Sequence, residues 1–284
     1  MAHLGMAILN PGDVVLLPDP GYPVFEAGSY LGGAEVYYYP LLRENNFLPV
    51  IEDIPEDVLN KTKYIVLSYP SNPVGASAPK EMYVRMIEYA KKYNFAIIND
   101  NAYSDIIFDG REGFSFLSLP GAKDVGVEFF SLSKSYNVTG LRISFCIGNK
   151  SIIDAFKLLR SQYDFGMSYP AQKAAIAALR GPRDSVKAQC AEYQRRRDAL
   201  LNGLRKYGWN VPDSHGTMFV WLPVPEGYTS ASFTEALMDK AGVIGTPGTA
   251  FGPLGEGYIR FALTKSAEEL AVIADVIGQS GVLS

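Results

Sequence analysis

The sequence predicts an open α/β fold, a sheet covered by helices on both faces, joined to a smaller α+β lobe. Three observations predict it. Between residues 13 and 148 short β-branched runs alternate with helical stretches. Those runs are apolar throughout instead of alternating in and out, which marks strands buried on both faces. Beyond one long helical stretch, the strand–helix pattern resumes on a smaller scale after Gly208. A chain of 284 residues has room for one large domain or two ordinary ones. We divide it into a large domain over 1–184 and, over 185–284, an interdomain helix with a small domain.

Each element has its own reason. Residues 1–9 read as the end of an apolar helix stopped by Asn10-Pro11-Gly12, with nothing ahead of it to serve as a cap. The chain is therefore expected to begin inside an element. Strands are expected over 13–17, 35–39, 64–69, 95–99, 126–131 and 143–148. Helical periodicity covers 23–31 and 80–92, and Pro79 suits a first helical turn. A helical block follows over 152–162, 171–179 and 185–206. The small lobe reads as strand 217–222, helix 232–241, strand 257–263 and helix 267–278.

Composition narrows the function classes. With 48% apolar and 20% charged residues, the chain is neither disordered nor fibrous. A net charge of -4 argues against a non-specific nucleic-acid binder, which needs excess cations. Cys146 and Cys190 lack CxxC spacing and read as inert thiols in a reducing cytoplasm. His3 and His215 are the only histidines, so His-ligated metals and Ser/His/Asp hydrolysis are disfavoured, and no metal site is expected. No window reaches the roughly 18 consecutive apolar residues of a membrane span. The longest apolar stretches, near 174–179 and 270–277, read as buried helix faces. No secretory leader is legible. Neither GxGxxG nor a P-loop occurs, which disfavours dinucleotides and nucleoside triphosphates. Arg195-Arg196-Arg197 reads as a solvated helix face, and His215 as a loop residue able to approach the mouth of a site.

In open α/β sheets ligands sit beyond the carboxyl ends of the strands. The unusual residues gather there: Asp19-Pro-Gly-Tyr22-Pro, Ser71-Asn72-Pro-Val-Gly75, Asp100-Asn-Ala-Tyr103 and Ser131-Leu-Ser133-Lys134. A lysine among hydroxyls can be held out of bulk water, and a nearby cation such as Arg142 lowers its pKa further, giving an amine able to form an imine. Taken singly, each has an ordinary reading: Lys134 as a solvated loop lysine, Asp100 as a turn residue or helix cap, Asn72-Pro73 as a plain turn.

Taken together and in this order, Asn72-Pro-Val-Gly, Asp100-x-Ala-Tyr103, Ser131-x-Ser-Lys134 with Arg142, and Tyr258-Ile-Arg260-Phe resemble the class I/II aminotransferases, pyridoxal 5'-phosphate enzymes of fold type I. The resemblance runs from Asn10 to the last helix. It implies that Lys134 carries the cofactor and moves the Cα proton. Asp100 would pair with the pyridine nitrogen, and Tyr103 and Asn72 with the phenolic oxygen. Tyr22 would stack on one ring face and Ala102 pack on the other. Ser131, Ser133 and Arg142 would hold part of the phosphate. Arg260 would clamp the substrate α-carboxylate, with Asn72 sharing it. The 248–252 glycine-rich loop resembles one that family members bring near the site.

The resemblance further implies ping-pong transfer between an amino acid and a 2-oxo acid by a cytoplasmic homodimer, with no nucleic-acid or membrane partner. The wording of the strand-end motifs is similar to the LL-diaminopimelate aminotransferase branch. A lyase or synthase of the same fold, and the effector domain of a transcription regulator, are the alternatives; the intact Asn72-Pro73 argues against the regulator. Two departures stand out. Val74 replaces the common threonine, and the family's phosphate-binding loop and N-terminal arm would precede Met1. The expectation is a fragment that alone holds the cofactor weakly and turns over little.

Overall fold

The computed structural model describes residues 1–283. The first part of the chain runs α1 (Ala2–Ile8), β1 (Val14–Asp19), α2 (Val24–Gly32), β2 (Glu35–Pro40), α3 (Glu56–Lys61) and β3 (Thr62–Ser68). It continues with α4 (Lys80–Tyr93), β4 (Ala96–Asp100), α5 (Ala122–Val125), β5 (Gly126–Ser131), α6 (Leu132–Ser135) and β6 (Ser144–Gly148). Three helices follow, α7 (Lys150–Tyr163), α8 (Tyr169–Arg180) and α9 (Asp184–Lys206). The last part is β7 (Phe219–Pro223), α10 (Ser230–Ala241), β8 (Thr246–Pro247), β9 (Tyr258–Ala262) and α11 (Ala267–Gln279).

Two sheets result. The larger has the order β2-β1-β3-β4-β5-β6. Its pairings are parallel except the last, β5 with β6, which is antiparallel. The smaller, β7-β9-β8, is antiparallel. β1 is buried along its whole length and divides the large core. Leu16, Ile65, Leu67 and Ile97 pack towards Tyr83, Met86 and Ala90 of α4. Val15, Leu17, Val66, Ile98 and Val127 meet Leu4 of α1 and Phe25 of α2 on the other face. This two-sided burial is why the strand runs are uniformly apolar. The small sheet has its own core, with Val220, Leu222, Ile259 and Phe261 against Leu200, Leu204, Phe233, Leu270 and Ile277.

Some expectations are corrected. Helices α3, α5 and α6 and strand β8 were not anticipated; all are too short to produce a periodic signal. The strand expected from residue 217 begins at Phe219, because Thr217 takes φ 73° and its Oγ1 accepts the Phe219 N–H at 3.1 Å. The apolar stretch of α8 is not a buried face: Ile176 and Leu179 are exposed, and only Ala171 and Ala175 are buried. The arginine run is not wholly solvated either. Arg197 is 4% exposed, pairs with Asp109 and Asp198, donates to the Ser214 carbonyl and lies over the Phe108 ring. Its neighbours Arg195 and Arg196 carry the polar face, paired to Glu192.

Candidate active site

Strand order reverses across β1, with β2 on one side and β3 on the other. That is the topological switch point where an open sheet offers a crevice. Tyr22 follows the carboxyl end of β1, Asn72 that of β3, Asp100 closes β4, and Lys134 lies just past β5. Arg260 reaches the same place from β9, its Nη1 donating to Asn72 Oδ1 at 2.8 Å. Residues far apart in sequence thus meet because parallel strands bring all their carboxyl ends to one edge.

Each group has an identifiable environment. Asp100 is part-buried at the sheet edge, and desolvation pushes its carboxyl up to about 6, opposed in part by the Ala102 N–H. Below it, Tyr83 Oη donates to Asn99 Oδ1 at 3.0 Å, and Asn99 Nδ2 donates to the buried Glu128 at 2.9 Å. Glu128 also accepts the Phe116 N–H at 2.8 Å, so this network anchors the residue preceding Asp100. Tyr103 is buried, its hydroxyl pKa raised by desolvation and by Asp100, with Arg260 opposing.

Lys134 sits in α6, whose first turn is capped by Ser131 Oγ accepting the Ser133 N–H at 3.2 Å. The Gln189 side chain of α9 donates to the Lys134 carbonyl. Burial and the nearby Arg142 both lower the Lys134 pKa, which enlarges the neutral, nucleophilic fraction. Arg142 adopts φ 50° and donates to the Thr139 carbonyl at 3.0 Å, turning back over the segment that holds Ser133. Tyr22 is exposed on one face, and a cavity of about 260 Å³ opens beside it, lined by Asp19, Phe25 and Phe251 among others.

Arg260 carries a pair of aromatic supports that sequence reading missed. Its guanidinium lies 4.0 Å from the Phe219 ring centroid and 4.5 Å from that of Phe251. Its Nε is buried with no hydrogen-bond partner, and desolvation lowers its pKa. A planar guanidinium stacked on aromatic rings, with a buried donor left unpaired, has the geometry that suits a planar anion such as a carboxylate. Phe251 belongs to the glycine-rich 248–252 loop, the one sequence signal that pointed here. His215 is not among these groups: its Nδ1 lies 3.2 Å from Ser77 Oγ, on a separate cavity lined by Arg43, Phe47 and Trp221. Burial pushes the Cys146 thiol up to about 12 and raises that of Cys190, which keeps both unreactive. Among the described residues no cluster could hold a metal ion, and no helix is long and apolar enough to cross a membrane.

The family profile described as aminotransferase class I and II matches residues 2–277. The chain belongs to the class I and II aminotransferases. An LL-diaminopimelate aminotransferase of Dehalococcoides mccartyi is 50% identical over 270 residues, 95% of this chain and 70% of that protein. One from Aquifex aeolicus is 44% identical over 277 residues, 98% of this chain and 72% of the relative. Among solved structures, substrate-bound BacF from Bacillus subtilis superposes with a TM-score of 0.95 at 36% identity. That match covers 99% of this chain and 72% of BacF. The architecture is accordingly that of the fold type I transferases, and the aminotransferases of this family depend on pyridoxal 5'-phosphate. The donor set here fits that group: a carboxyl whose pKa burial raises, a lysine of lowered pKa, and Ser131 and Ser133 on that lysine's own turn, with Arg142 near enough to lower the lysine's pKa.

Proposed function

We propose that this aminotransferase moves the amino group of LL-diaminopimelate to a 2-oxo acid such as 2-oxoglutarate, with the residues above in the following roles. The single observation that carries the reading is the Arg260 fork, stacked between Phe219 and Phe251 and tied to Asn72. It is suited to an α-carboxylate at the carboxyl edge of the sheet, where Asp100 closes β4 and Lys134 lies just past β5. The donor is taken from the relatives' names. Residues 1–184 form the cofactor-binding domain, and 185–284 supply the interdomain helix and the small domain.

Pyridoxal 5'-phosphate supplies an electron-poor ring that accepts the electron pair left on Cα. Lys134 would hold the cofactor through Nζ and, once its amine is free, would accept the proton from substrate Cα on Nζ and deliver it to the cofactor carbon that carries the imine. Asp100 would keep the ring nitrogen positive, while Tyr103 and Asn72 would hydrogen-bond the phenolic oxygen. Tyr22 and Ala102 contact the two ring faces. Ser131, Ser133 and Arg142 hold the phosphate. The exposed apolar residues Leu158, Phe165, Tyr169 and Leu179 support a homodimer. We assign it to the cytoplasm, where amino acid and 2-oxo acid substrates are found.

Incubating the cofactor-loaded protein with LL-diaminopimelate and 2-oxoglutarate tests the proposal. One glutamate should form per diaminopimelate consumed. Faster turnover with alanine or aspartate as donor would overturn the substrate assignment, and release of ammonia would overturn transamination itself.

A further inference from the structure

Asp19 ends β1 with only 6% exposure, yet none of the steps above uses its carboxylate. Its Oδ1 accepts the Leu254 N–H at 3.2 Å, joining residues 235 apart in sequence across the seam between the large sheet and the small lobe. Two residues on, the Gly21 N–H donates to the Phe251 carbonyl at 2.7 Å. Gly252 lies between those contacts with φ 125°, and a Cβ there would come 2.2 Å from Asp19 Oδ1. The loop approaches the carboxylate as closely as a glycine permits. Phe251 is one of the two rings under Arg260, and Tyr22 follows Asp19 on the same short segment.

We propose that Asp19 is a positioning residue that latches the small-lobe loop Phe251–Leu254 to the end of β1, holding the Phe251 ring where Arg260 can meet the substrate α-carboxylate. The inference rests on the reading of Arg260 as the carboxylate fork. A buried carboxylate accepting an N–H makes a charge-assisted bond, and its loss leaves the Leu254 N–H without that acceptor at a part-buried seam. The loop relaxes, and the guanidinium loses one of its two shelves. Misplacement of a binding group by about 1 Å is costly even when the group itself is intact.

Asp19→Ala and Asp19→Asn test the latch in the cofactor-loaded enzyme, with LL-diaminopimelate and with cadaverine, which lacks both carboxylates. Single-turnover absorbance changes give each kcat/KM. Asp19→Ala should lose about tenfold for LL-diaminopimelate, chiefly through KM, with the cadaverine rate unchanged. Asp19→Asn keeps an oxygen that can accept the Leu254 N–H, so it should stay within about threefold of the parent. Without cofactor, hydrogen exchange at the Leu254 amide should speed up in Asp19→Ala and not in Asp19→Asn. Gly252→Ala breaks the latch from the other side and should give the same selective loss, which keeps the test valid if Asp19→Ala folds poorly. Equal losses for both donors, or unchanged Leu254 exchange in Asp19→Ala, would overturn the proposal. A parent enzyme that does not prefer the carboxylated donor would instead overturn the Arg260 reading, leaving the exchange measurement to judge the latch.

Discussion

Replacing Arg260 by lysine keeps a positive charge on β9 and removes the planar fork. The guanidinium spends Nη1 on Asn72, retains a buried Nε without a partner, and rests on two aromatic rings. A lysine ammonium can reach a carboxylate with a single strong bond, so one charge-assisted hydrogen bond is lost, about 1.5–3 kcal/mol. Weaker stacking on Phe219 and Phe251 adds roughly 0.5–1 kcal/mol. The total of about 2–4 kcal/mol corresponds to a fall in amino-acid affinity of roughly thirtyfold to several hundredfold. Spectral titration of the loaded variant with LL-diaminopimelate and with 2-oxoglutarate measures that loss, and a separate titration gives cofactor affinity. The variant should bind cofactor as the parent does. A loss below about threefold for both substrates, or an equal loss of cofactor affinity, would refute the assignment of Arg260 to the α-carboxylate.

Borohydride treatment of the loaded protein should leave the pyridoxyl mass on the peptide containing Lys134; a label on another lysine would refute its role. Burial raises Asp100 to about 6, above an unfolded value near 4, so in the cofactor-free chain stability falls as pH rises from about 4 to about 6 and the full cost of the charge is present above about 6. Asp100→Asn should therefore stabilise the cofactor-free chain at about pH 7.5 by roughly 1–3 kcal/mol, the gain shrinking as pH falls from about 6 to about 4 and absent below that, where the carboxyl is protonated in both states. The same variant, once loaded, should lose most of its rate of Cα proton removal. Lower thermal stability at neutral pH, or parental turnover, would contradict this account of the group.

Strand-end motifs made much of this protein legible before any coordinates. Tyr22, Asn72, Asp100 and Lys134 each follow an apolar run, and a parallel sheet covered on both faces must bring such ends to one edge. A mostly parallel sheet covered by helices and a smaller α+β lobe follow from that local reasoning, and the candidate cofactor residues were chosen by it, helped by the resemblance of their wording to a known family; the strand order was not legible. What the sequence could not supply are contacts between residues with no local relation. Phe219 and Phe251 look like any core aromatics until β7 and the 248–252 loop are folded around Arg260. Arg197 looks solvated within its run until the chain returns with Asp109 and Ser214 to enclose it. Asp19 is only the first residue of a strand-end motif until Leu254, 235 positions away, closes on it. Periodicity and propensity report only neighbours within a turn or a pleat, whereas stacking, ion pairing and buried hydrogen bonds depend on which surfaces the packing brings within a few ångströms.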